Sequence, residues 1–118
     1  MKDFRTLKVW EKSHQFTLQI YSLSRNFPKD ELFGLVSQIR RASSSIAINI
    51  AEGCGRGSDS DFARFLQMSM GSASETEYLI LLCADLDYFS QDVKDKLLLD
   101  IQEIKKMLST LIIKIRNK

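Results

Sequence analysis

A chain of 118 residues, 44% hydrophobic and 27% charged, is long enough to bury one modest core and too apolar for a disordered segment. The net charge is only +2, and no apolar run reaches the roughly 18 residues that cross a bilayer, so a membrane-spanning protein is not expected. The start, MKDFRTLKVWEKS, has charges on both sides of its first apolar residues and no small-residue cleavage pattern, which predicts a single cytoplasmic domain over residues 1–118.

Three breaks divide the chain. NFPKD (26–30) carries Pro28, which disfavours helix in the residue before it, and Asp30, a capping residue. GCGRGSDS (53–60) holds three glycines followed by Ser58 and Ser60 as N-cap candidates, and DYFSQD offers Ser90 or Asp92. Between the breaks the apolar residues follow a helical period, predicting helices at 6–25, 30–52, 60–88 and 92–116. Short connections make neighbours antiparallel, so the expected fold is an all-α, up-down-up-down four-helix bundle.

The core stripes are Val9, Phe16, Ile20 and Leu23 in the first helix, and Leu32, Leu35, Val36, Ile39, Ser43, Ile46 and Ile50 in the second. The third supplies Phe62, Phe65, Ser69, Ser72, Thr76, Ile80 and Cys83. In the fourth, Val93, Leu97, Ile101, Ile104, Leu108, Leu111 and Ile115 keep the 3.5-residue spacing of a bundle seam. A hairpin of the second and third helices centred near residue 56 sets Arg41, Ala42 and Ser43 against Gly71, Met70 and Ser69, a thin crossing that Gly71→Leu would loosen.

RRASSSIAINIAEG (40–53) fills a helix with poor helix formers. Ile48 points about 200° away from Ile46, so it belongs to a second face with Gly34, Ser37, Arg41, Ser45 and Glu52. The third helix repeats this with Ala63, Met70, Ser74, Tyr78 and Leu81, and the first with Leu7, Trp10, His14, Thr17 and Tyr21. Small and apolar residues where solvated charge is usual predict self-association, with Trp10, Tyr21, Arg41, Ser45, Ile48, Met70, Tyr78 and Leu81 as interface candidates; scattered exposed apolar residues on a broad-cored monomer are the alternative.

Catalytic chemistry is hard to build from these residues. Glu75 with Glu77, and Asp85 with Asp87, stand two apart on a helix and diverge. The chain has one histidine, no Cys-x-x-Cys and no di-iron pattern, and GCGRGS lacks the lysine of a phosphate loop, so neither enzyme, metal nor cofactor is expected. Structural polar roles are expected for Arg40 paired with Glu75, and for Asn49 and Glu52 tying down the glycine turn.

Charge is unevenly spread. Residues 1–58 carry nine Lys/Arg against five Asp/Glu, residues 59–92 one against seven, and residues 93–118 seven against three. Matching within the bundle, matching between subunits and a basic surface for an anionic partner are all consistent with this. For nucleic acid the candidates are Lys8, Lys12, Arg56, Lys105, Lys106, Lys114 and Arg116, with Lys2, Arg5 and Lys118 nearby in type and position.

FRTLKVWEKSHQ, NFPKDELFGLVSQIRRASSSIAINIAEGCGRGS and FARFLQMSMGSASETEYLILLCADLDY together resemble the four-helix-bundle proteins encoded in intervening sequences of bacterial 23S rRNA genes, relatives of the accessory variability protein of diversity-generating retroelements. The resemblance spans about residues 3–115 and is most specific at Gln38, Arg40, Arg41, Asn49, Glu52, Gly53 and Arg56; Ser44, Ser45 and Ala47 depart mildly from the family's Ala, Val and Pro. It implies a ring-like homopentamer with a basic surface that binds RNA or DNA. A scaffold or adaptor that binds another protein, without nucleic acid, is the second functional expectation.

Overall fold

The computed structural model describes residues 2–118, and over these the chain is helical with no strand. Four long helices, α1 (Lys8–Ser24), α2 (Ser37–Cys54), α3 (Asp59–Asp85) and α4 (Gln91–Arg116), form a rod of 46 × 24 × 20 Å. Each pairs with its chain neighbour in antiparallel sense, and α1 closes the bundle against α4. Thr17 and Ser24 on α1 meet Ser43 and Arg40 on α2, while Glu77 and Asp59 on α3 meet Lys105 and Lys118 on α4.

The caps follow from local sequence. Asp3 accepts the Arg5 amide at 3.0 Å and opens a 3-10 turn at Phe4–Thr6 ahead of α1. Of the paired cap candidates, Ser58 accepts the Asp61 amide at 3.1 Å and Ser90 the Val93 amide at 3.2 Å. α3 ends at Asp85, three residues before the expected 88. There Tyr88 N–H donates to the Cys83 carbonyl and Asp87 N–H to that of Ala84, a Schellman turn with Asp87 in the left-handed region at φ 62°.

The segment before α2 departs from expectation. Instead of regular helix from residue 30, a 3-10 turn (Lys29–Glu31) leads into a π turn (Leu32–Val36), in which Gly34 is non-helical at φ −108°, ψ −110°. Glu31 accepts the Leu35 amide at 3.3 Å and the Tyr88 hydroxyl at 2.9 Å. The wider turn shifts the helical phase, so Leu32, assigned above to the core, is 52% exposed and Phe33 is 93% exposed.

The isoleucine and leucine stripes are otherwise where the period puts them. Ile20, Ile39, Ile46, Ile50, Ile80, Leu97, Ile101, Ile104 and Leu108 have no exposed surface, each burial stabilising by roughly 1.5–3 kcal/mol. Leu66, Ala73, Leu79 and Ile112 join them, whereas Leu23, Ser72, Val93 and Leu111 are only half-buried, and Ala63, expected outward, is buried. The α2–α3 register is also displaced: Ser69, expected opposite Ser43, donates to the Ile46 carbonyl at 2.8 Å. α2 runs on to Cys54, which moves the turn later and brings the close crossing to Gly53, where an added Cβ would lie 2.9 Å from Phe65 Cβ and 3.0 Å from Phe62 Cδ1. Gly71 has open space beside it and thins no crossing.

Candidate functional site

The polar residues of the opening serine-rich stretch of α2 are used inside the fold. Arg40 turns toward α1, not toward Glu75: Nε donates to Ser24 Oγ at 2.8 Å, Nη2 to the Tyr21 carbonyl at 3.2 Å, and the guanidinium lies 4.6 Å from the Tyr21 ring centroid. Its neighbour Arg41, 100° further round, is the one that pairs with Glu75 across α2–α3. Asn49 does not hold the glycine turn, because its amide donates to the Ser45 carbonyl at 2.9 Å within α2. Glu52 contributes only its carbonyl, to Gly55 N–H, and the turn is otherwise held by Arg56 N–H on the Gly53 carbonyl and Lys2 N–H on that of Cys54.

The interface candidates fall on separate faces. Trp10, Ile48 and the small residues of α2 line a groove of about 300 Å³ between α1 and α2, in which Trp10 stacks on His14 and meets the edge of Phe4. Ile48 is 51% exposed, and Tyr21 is exposed further up α1. Met70 lines a second groove, about 490 Å³, between α3 and α4 with Ile112, Ile113 and Arg116. Leu81 lies on Met70's row at i+11, and Tyr78, 61% exposed, lies beside it. Ser45 is half-buried and its hydroxyl donates to the Arg41 carbonyl. Arg41 pairs with Glu75, and its side chain stays 58% exposed.

The basic candidates divide as well. Lys12 is neutralised by Asp100 and Glu103 at 3.6 and 3.5 Å, and Lys105 by Glu77 at 3.0 Å, so neither is an uncommitted cation. That hydrogen bond from Lys105 holds the Glu77 carboxyl below its usual range. Lys8, Arg56, Lys106, Lys114 and Arg116 make no ion pair among the described residues.

Arg56 and Arg116 lie toward one end of the rod, where Lys118 reaches Asp59 and Lys2 sits over Phe62 at 5.8 Å. Arg56 and Arg64 both lie over the Phe65 ring, at 4.7 and 4.8 Å from its centroid. Asp85, Asp87, Asp92 and Asp95 crowd the opposite end, around the α3–α4 turn. The alternating charge of the sequence is therefore partly internal matching, at Lys12, Arg41 and Lys105, and partly an axial asymmetry.

Two thiols complete the inventory. Burial pushes Cys54 up, against the pull of Lys2, and pushes Cys83 up to about 11, with Glu31 adding to it, so both are poor nucleophiles at neutral pH. Among the described residues no three His, Cys, Asp or Glu side chains converge as metal ligands, and no helix is long and apolar enough to cross a membrane.

The fold and sequence both have relatives. A crystal structure of a protein of unknown function of the S23 ribosomal protein family, from Bacteroides thetaiotaomicron VPI-5482, superimposes with a TM-score of 0.82 at 30% identity, covering 88% of this chain and 94% of that one. No curated protein matches. The family model described as 23S rRNA-intervening sequence protein matches residues 5–110. With all but the ends of the chain inside that match, the protein belongs to the 23S rRNA-intervening sequence protein family.

Proposed function

We propose that this chain is a non-enzymatic bundle that assembles with copies of itself and docks RNA or DNA on its basic end. The observation that carries the reading is the gathering of Lys2, Arg56, Lys114 and Arg116 toward one end of the rod, with the Arg56 guanidinium over the Phe65 ring. Unpaired cations contact phosphates whatever the sequence, and a guanidinium backed by an aromatic ring offers a planar cation on which a base stacks. One copy offers few such contacts. Several copies on a rigid particle combine them by avidity.

Assembly is supported by the two grooves, which lie on opposite sides of the bundle, α1–α2 and α3–α4. Two different surfaces on opposite sides suit a head-to-tail contact that closes into a ring, for which the family resemblance implies five copies. The family's description names the 23S rRNA intervening sequence, which makes a transcript of that kind the first probe.

The test is anisotropy of a labelled intervening-sequence RNA hairpin against salt, together with mass measurement in solution. Expected are weakening with rising salt, loss of binding in Arg56→Glu with Arg116→Glu, and a multimeric mass that falls in Ile48→Glu. Undetectable or salt-independent binding overturns the docking reading, and a monomeric wild type overturns the assembly.

A further inference from the structure

The seam between α1 and α4 is the least closely packed of the four in the bundle. Below the Lys12 contact with Asp100 and Glu103, a groove of about 470 Å³ opens between the two helices. Its floor is Leu7, Val9, Met107 and Leu111. Its rim is Lys8 on one side and Lys106 and Lys114 on the other, with the exposed Thr110 between the last two.

None of these three lysines has a carboxylate within ion-pair distance among the described residues, although Lys12, Lys96, Lys105 and Lys118 all do. Three uncompensated like charges around an apolar trough are relieved by a partner that brings both apolar surface and negative charge. From Lys106 to Lys114 the rim runs about 12 Å at 1.5 Å per residue, the length of two helical turns.

We infer that this groove receives an amphipathic helix of a partner protein, whose apolar stripe is flanked by Asp and Glu. The stripe packs as an added helix on the α1–α4 seam and the carboxylates reach Lys8, Lys106 and Lys114. Nucleic acid suits the site poorly, because the groove holds no aromatic ring for a base and its apolar floor has nothing to offer a phosphate. A second copy fits less well: its Glu75 and Glu77 in the middle of α3 are already engaged by Arg41 and Lys105, and its Asp85, Asp87, Asp92 and Asp95, without an ion pair among the described residues, crowd around a turn instead of flanking a helical stripe. The inference shares Lys114 with the basic-end reading, but Arg56 and Arg116, whose reversal tests that reading, lie outside the groove.

The experiment titrates the full chain with two labelled, stapled peptides of about 14 residues, since short unconstrained helices are marginal in water. Both carry leucine at i, i+4 and i+7; one has glutamate flanks and the other lysine flanks. The expected result is that the glutamate peptide binds roughly tenfold tighter, and that Lys106→Glu with Lys114→Glu, or Thr110→Glu, removes that preference. These three positions are exposed, so the variants fold, which circular dichroism checks. Equal binding of the two peptides, or none, overturns the inference. So does displacement of the peptide by a single-stranded oligonucleotide, which would make the groove a polyanion site, or a fall in assembly mass in Thr110→Glu, which would make it a contact between copies.

Discussion

Arg40 of α2 and Ser24 of α1 are joined by a hydrogen bond of 2.8 Å, with the Tyr21 carbonyl taking a second bond from the same guanidinium. α1 has no basic residue in its last turn, so a cation supplied by its neighbour meets the negative end of the α1 dipole at the Tyr21 carbonyl, which Ser24 Oγ also reaches. Arg40→Met is expected to cost about 1.5–3 kcal/mol, read as a lower urea midpoint. Arg40→Lys recovers only part of this, because an ammonium neither forks nor stacks on Tyr21. A melting curve for Arg40→Met that overlays wild type would show the contact to be incidental.

Gly53 and Gly71 are expected to respond oppositely to alanine. At Gly53 the new Cβ would press on Phe65 Cβ and Phe62 Cδ1, and backbone of α2 and α3 must separate, at a cost of about 1–3 kcal/mol. At Gly71 nothing lies within 4 Å, and alanine adds helix propensity worth about 0.5–1 kcal/mol. Chemical denaturation of the two variants checks the register: equal effects would mean that the crossing is not at Gly53.

These two cases show where the sequence was legible. Helical period places Ile46 and Ile50 inside and Ile48 outside because a 100° step is a property of the backbone alone, and Ser58 and Ser90 announce themselves by cap chemistry. Pairing between helices is a different matter. Arg40 and Arg41 differ by one residue and 100° of direction, enough to exchange the partner of Glu75, and Ser69 lands three residues along, on Ile46 instead of Ser43, because register depends on where α2 stops, at Cys54. The π turn at Leu32–Val36 was also hidden, since it rests on Glu31 being gripped by Tyr88, 57 residues away. The basic set was half legible: charge is visible in a sequence, but the neutralisation of Lys12 and Lys105 depends on neighbours from other helices.

Asp87 is the non-glycine residue with positive φ among the described residues, at 62° in the turn after α3. The left-handed region costs an ordinary residue roughly 1–2 kcal/mol, less for Asp, and a carboxylate beside a helix C-terminus faces the wrong end of the dipole. Asp87→Gly removes both penalties and is expected to stabilise by about 0.5–1 kcal/mol, after allowing for the greater freedom glycine gives the unfolded chain. The check is thermal unfolding, where a rise of a few degrees is expected and a fall would mean that the Asp87 side chain contributes a contact of its own.

Two hydrogen bonds set opposite limbs of the stability profile against pH. Glu77 accepts Lys105 Nζ at 3.0 Å, which holds its carboxyl below the usual 4.5 against a smaller opposing push from burial. With the folded value below the unfolded one, its contribution is present above pH 4.5 and lost as pH falls through the folded value. Tyr88 donates to Glu31 at 2.9 Å, and that bond raises the phenol above its usual 10.0. Here the contribution is present below pH 10.0 and lost as pH rises through the folded value. Urea midpoints measured across pH should therefore show a shallower acid limb in Glu77→Gln with the alkaline limb unchanged, and the reverse in Tyr88→Phe. Because Tyr88 reaches the residue that caps the π turn, its variant should also speed amide exchange at Leu35, while Glu77→Gln leaves that amide as protected as before.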